Sequence, residues 1–158
     1  MNAIRIILTI VLLSALTAFQ KKKPIEPYQK TGVMLINEIR TKGCRCGGKY
    51  YAPVSPLTWN DKLYVAAARH SADMYRMDDM NHVGSDGSES SDRISRAGYK
   101  WSYCGENIAW GFDNAESVVA AWKESTGHCR TLMSPTYTQV GFAKKGQYWT
   151  MDFAKPAK

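Results

Sequence analysis

Cys104-Gly105-Glu106-Asn107-Ile108-Ala109-Trp110-Gly111, with Asn114-Ala115-Glu116-Ser117-Val118-Val119-Ala120-Ala121-Trp122-Lys123-Glu124 close behind it, is the passage on which the fold turns. The run from Trp101 to Gly111 reads as a strand that is apolar except at Glu106 and Asn107. An ionised carboxylate is costly to bury alone, so Glu106 requires a donor or a cation beside it. Asn114 then has the chemistry of a helix N-cap. The helix it opens runs to Glu124 and turns Val118, Val119, Ala121 and Trp122 inward. Thr126-Gly127-His128-Cys129 leads from that helix into a loop that continues through Arg130 to Pro135. Strand, capped helix and loop together hold an acid embedded in an apolar run, one histidine and two of the four cysteines.

Downstream, Val140 to Ala143 and Tyr148 to Phe153 read as a hairpin around Lys145-Gly146. Upstream the pattern changes period. Val33, Leu35, Ile36 and Ile39 recur at near-helical spacing between Tyr28 and Thr41, and Gly43 stops the run. Gly43 to Pro56 reads as a loop. Thr58 to Asp61 resembles a capping arrangement, followed by Leu63, Ala66, Ala67, His70 and Met74 on one face of a helix to about Met77. A loop rich in Gly, Ser and Asp carries His82, and Ser88 to Ala97 reads as a short polar helix ended by Gly98. Helices come first and strands cluster late, which is the order of an α+β domain with an antiparallel sheet.

The chain has 158 residues, enough for one domain with a core of its own, and its 44% hydrophobic and 22% charged residues are those of a globular protein. A basic start at Arg5, an apolar run from Ile6 to Phe19 and small residues Ser14, Ala15 and Ala18 give residues 1–20 the order of a secretory signal. The run is short of the ~20 apolar residues of a comfortable span, and an uncleaved N-terminal anchor is the alternative. Residues 21–27 form a basic, proline-bearing linker before a domain at 28–156. Export makes disulfides the simplest use of Cys44, Cys46, Cys104 and Cys129, two bonds with the pairing left open; Cys-x-Cys also invites a zinc site, which oxidation disfavours. The formal charge of +7 is spread along the chain without an aromatic-basic stripe, so it indicates solubility and excludes a nucleic-acid interface.

His82, Glu106 and His128 are the residue types that hold a borderline divalent cation such as zinc, with three or fewer protein ligands leaving room for water or a ligand. A hydrogen-bonded polar cluster that never meets a metal has the same composition. His70, by contrast, lies on an apolar helical stripe and reads as a packed histidine.

Five motifs occur in order: Leu57-Thr58-Trp59-Asn60; His82 with Gly84-Ser85-Asp86-Gly87; Gly105-Glu106-Asn107-Ile108-Ala109; Trp122 followed by Gly127-His128; and Tyr137-Thr138-Gln139-Val140-Gly141. Together they resemble the CAP family of cysteine-rich secretory proteins, antigen 5 and pathogenesis-related class 1 proteins, closest in layout to bacterial secreted members. The resemblance implies a three-layer α-β-α sandwich with a central antiparallel sheet and a cleft lined by two histidines and two acids. By position these are His82, His128, Glu106 and, one residue off the family spacing after Trp122, Glu124. A one-residue offset on a helix is a rotation of about 100°, which turns Glu124 aside from the cleft direction.

The resemblance points to an extracellular or periplasmic binding domain over an enzyme, with zinc or another divalent cation as cofactor. Its partner would be a lipid, a peptide or a cell-envelope component, and membrane contact would follow only from an uncleaved N-terminal segment. The alternatives are a metal-assisted hydrolase of peptidase or esterase type, with Glu106 as base or Ser125 as nucleophile to His128, and a lipid- or partner-binding module whose His/Glu tetrad is structural. No nucleophile elbow and no His-Glu-x-x-His helix is present.

Overall fold

The computed structural model describes residues 24–158; the expected signal and the first three residues of the linker lie outside the described residues. Helix α1, Pro27–Lys42, begins with proline in its first turn, where a missing N–H costs nothing. The expected loop after it contains a small hairpin, β1 Cys44–Cys46 and β2 Lys49–Tyr51. Strand β3, Thr58–Trp59, leads into α2, Asp61–Met77. The cap of α2 is Asn60, whose Oδ1 accepts from the amides of Lys62 and Leu63, and not Thr58, which belongs to the strand. Helix α3, Ser90–Arg96, precedes the ten-residue strand β4, Trp101–Trp110, and Asn114 caps α4, Ala115–Glu124. The loop expected around His128 is in fact a short helix, α5, Thr126–Leu132. Strands β5, Gln139–Lys145, and β6, Tyr148–Pro156, complete the chain.

The main sheet has the order β3-β5-β6-β4, and it is mixed. The pairs β4–β6 and β5–β6 are antiparallel as expected, whereas the two-residue β3 runs parallel to β5. Alternation along the strands divides the core between two faces. Val140, Phe142, Trp149, Met151 and Phe153 pack with Ile36 of α1, Trp122 of α4 and Leu132 of α5. On the other face Ala154 packs with Leu63 and Ala66 of α2 and Ile94 of α3, while Ser71 of α2 donates to Thr150 Oγ1 at 2.9 Å. Helix α2 lies almost on the backbone of β5. A Cβ at Gly141 would stand 2.0 Å from the amide nitrogen of Tyr64, so only glycine fits there. The result is two helical layers about one sheet.

Arg40 of α1 is fully buried and binds four carbonyls, those of Ser55, Leu132, Ser134 and Tyr137. Burial lowers its pKa to about 10, well above neutrality, so it stays charged. It ties the segment after α5 to the first helix.

The cysteines depart from expectation. One disulfide forms, Cys46–Cys129, and Cys44 and Cys104 are free thiols. Cys104 lies in the packing of α2, α3 and β6, whereas Cys44, Cys46, Cys129 and Met133 form a separate cluster, so no second bond can close.

Candidate functional site

The sheet register sets the site. Glu106 on β4 stands directly across from Asp152 on β6, and both face the α2 layer. Glu106 is only 2% exposed and is doubly held: its Oε1 is 2.7 Å from His82 Nδ1, and its Oε2 accepts from Arg93 Nη2 at 2.7 Å. Burial alone would raise the Glu106 carboxyl, but the His82 hydrogen bond and the Arg93 charge outweigh it and hold the pKa below the ordinary value. The donor or cation required by the sequence is therefore present. It comes from Arg93, 6% exposed on α3, which also donates to the carbonyls of Ser88 and His82. Arg93 carries no motif of its own; the only signal was the need of Glu106 for a partner.

Asp152 is the second unanticipated member. It is completely buried, and neither of its oxygens makes a hydrogen bond of good geometry. Burial, then the neighbouring Glu106 charge, pushes its pKa well above the carboxylate range. The two carboxyls divide the roles: Glu106 is the anion and Asp152 the neutral acid. His70 packs as expected, 1% exposed, with Nε2 3.8 Å from Glu106 Oε2, beyond hydrogen-bond reach. Burial lowers its pKa despite the Glu106 charge, so the ring is neutral.

His82 is presented by the loop between α2 and α3. Ser85 donates to Asp73 on α2 through both its amide and its hydroxyl, each at 2.7 Å, and Arg96 on α3 pairs with Asp86. These bonds fix the loop to both helices. Because Glu106 is an anion, His82 Nδ1 carries the proton of this hydrogen bond, and in the neutral imidazole Nε2 is then the acceptor nitrogen. The ring is 57% exposed.

His128 sits on α5, half-buried, its ring centroid 6.5 Å from that of Trp122. Its carbonyl accepts from Asn107 Nδ2 at 3.2 Å, and the Cys46–Cys129 bond anchors the next residue. Burial and then the nearby His82 charge lower its pKa. The structure thus joins His82 to Glu106 and sets His128 within electrostatic range of His82. It does not bring Glu124 to them. Glu124 ends α4 81% exposed, with Lys123 4.0 Å away as its ion-pair partner. Ser125 joins α4 to α5, and its hydroxyl makes no hydrogen bond to His128.

The profile of the cysteine-rich secretory protein family, CAP, matches residues 33–153, and the chain belongs to this family. An uncharacterized protein of Bacillus subtilis, YkwD, is 30% identical over 131 residues, 82% of this chain and 48% of that one. An uncharacterized membrane protein of the same organism, YlbC, is 28% identical over 102 residues, 65% of this chain and 30% of its own length. The chain therefore spans about half the length of one of these relatives and under a third of the other. Among solved structures, an extracellular SCP-domain protein of Bacillus anthracis superposes with a TM-score of 0.72 at 22% identity, over 85% of this chain and 45% of that one. An outer surface protein of Borrelia burgdorferi gives 0.68 at 20% identity, over 81% of this chain and 92% of that one. These likenesses establish the α+β CAP fold.

Proposed function

We propose that this protein is an exported binding domain in which His82 and His128 take a divalent cation of the zinc class and present it to an extracellular ligand. The observation that carries the reading is the 2.7 Å contact from His82 Nδ1 to Glu106. Histidines that bind metal characteristically give their other ring N–H to a carboxylate, which fixes the tautomer and makes the ligating nitrogen more basic. The donor set fits: two imidazoles suit a borderline cation, and the lowered pKa of His128 favours the neutral form that ligation needs. Glu106 is not a ligand in this reading, because His82 and Arg93 already engage both its oxygens. Its part is to hold the His82 ring.

A cation bound there supplies a Lewis acid with open positions. The chain's own residues orient it: Glu106 sets the ring, Arg93 keeps Glu106 charged, and α5 delivers His128. The named extracellular and surface relatives support an exported location, as do residues 1–20 of the sequence. Zinc should raise the thermal midpoint of the purified protein, as any ligand of the folded state must, and His82→Ala/His128→Ala should abolish the gain. An unchanged midpoint at millimolar zinc refutes the reading.

A further inference from the structure

We propose a second metal site, distinct from the histidine cleft: Cys44, Cys46 and Cys129 form a three-sulfur centre for a soft monovalent cation, Cu(I), which the Cys46–Cys129 disulfide closes off. The three sulfurs lie within 4.8 Å of one another and are drawn from two elements, β1 and α5. Cys44 has no covalent partner, yet it is buried with its sulfur 3.6 Å from Cys129 Sγ and 3.9 Å from Cys46 Sγ. Those spacings are telling. Around one ion with metal–sulfur bonds of about 2.3 Å, three sulfurs in a plane stand ~4 Å apart. Cys44 is already at ligand distance from both partners, and only the Cys46–Cys129 separation has to open.

The chemistry of the lining selects the ion. Cys44, Cys46 and Cys129 pack with the thioether residue Met133 and with Ile39, Tyr51 and Val54. Among the described residues no histidine, aspartate, glutamate or further cysteine joins the three sulfurs. Zinc in structural sites asks for four ligands, whereas buried thiolate and thioether donors suit Cu(I). The centre needs a reductant of the dithiol class. It passes two electrons and two protons to the Cys46–Cys129 bond and becomes a disulfide itself; the thiols then release protons to solvent as their sulfurs bond the ion.

The test is titration of the purified protein with Cu(I), buffered by a chromophoric chelator, after reduction with a phosphine and before it. Reduced protein should bind one Cu(I), and X-ray absorption should report sulfur ligands only; oxidised protein should bind none at this site. Cys44→Ser leaves the disulfide pair intact for folding and should weaken Cu(I) binding by more than the roughly 10–100-fold that loss of a mere supporting partner costs a metal site. The His82→Ala/His128→Ala protein should bind as the parent does, so failure of the histidine-cleft reading would leave this result untouched. Near-UV circular dichroism shows whether the reduced chain is folded when it binds. Absence of a 1:1 complex in the reduced protein overturns the proposal, as does a Cys44→Ser variant that binds with parental affinity. Nitrogen ligands in the absorption spectrum, or binding that leaves the chain without native dichroism, would overturn it equally.

Discussion

Replacing Arg93 by methionine should be among the most damaging single changes available near the cleft. The substitution keeps a long apolar stem and removes only the guanidinium. Glu106 then keeps His82 as its sole close hydrogen-bond partner at 2% exposure, and the carbonyls of Ser88 and His82 each lose a donor. Breaking a buried ion pair from one side costs about 3–5 kcal/mol, because the remaining charge stays buried. Part of that is recovered if Glu106 takes up a proton, its pKa rising once the Arg93 charge is gone. Urea unfolding at neutral pH measures the loss directly. The double variant Arg93→Met/Glu106→Gln, which leaves no charge to compensate, should be less destabilised than the sum of the singles by about 1–3 kcal/mol. A loss below about 1 kcal/mol for Arg93→Met, or strict additivity in the cycle, would refute the claim that Arg93 is what allows an anion at position 106.

Other outcomes follow from the same geometry. His70 and His128 have pKa values lowered mainly by burial, so the unfolded chain binds more protons as pH falls through 6.5. Stability should be fully present above that value and decline below it, by up to about 1.4 kcal/mol per pH unit for each histidine, and His70→Gln should flatten the slope between pH 7 and 5 in denaturant titrations. Cys129→Ser opens a bond spanning 83 residues and leaves neither Cys44 nor Cys46 a partner on α5, so it should cost roughly 4 kcal/mol, read as a lower urea midpoint that reductant does not lower further. Gly141→Ala forces Tyr64 and Leu63 away from β5 and should lose about 1–3 kcal/mol or more, checked by thermal unfolding. Arg40→Lys should also destabilise, since a single ammonium cannot reach four carbonyls in the fork that guanidinium spans.

Periodicity carried most of the architecture. The stripes through Ile36 and through Leu63, Ala66 and Met74 announced α1 and α2, and Asn114 announced α4 by its own side-chain chemistry. What escaped was short or non-local. Helix α5 has only seven residues with Gly127 near its start, too few to show a period. The parallel pairing of β3 with β5 depends on partners 81 residues apart, about which local pattern is silent. Glu106 and His82 were legible because a carboxylate in an apolar strand and a histidine in a Gly/Ser/Asp loop are each out of place. Asp152 escaped although it too interrupts an apolar strand, between Met151 and Phe153, because its place beside Glu106 is set by cross-strand register and not by local pattern. Glu124 was placed in the cleft tetrad by family position, with its offset after Trp122 as the warning, and the helix leaves that side chain in solvent.

The Cys46–Cys129 bond also changes what a protease could accomplish. It links the hairpin after α1 to the helix before β5, so residues 47–128, with α2, α3, β4 and α4 among them, form one covalent ring. His82 and Glu106 both lie on that ring, and His128 at its margin. A single cut in an exposed turn such as the one around Gly87 would leave two segments still joined through sulfur, with every strand of the sheet still attached. For a domain closed in this way, a backbone nick would be a scar and not a dissociation.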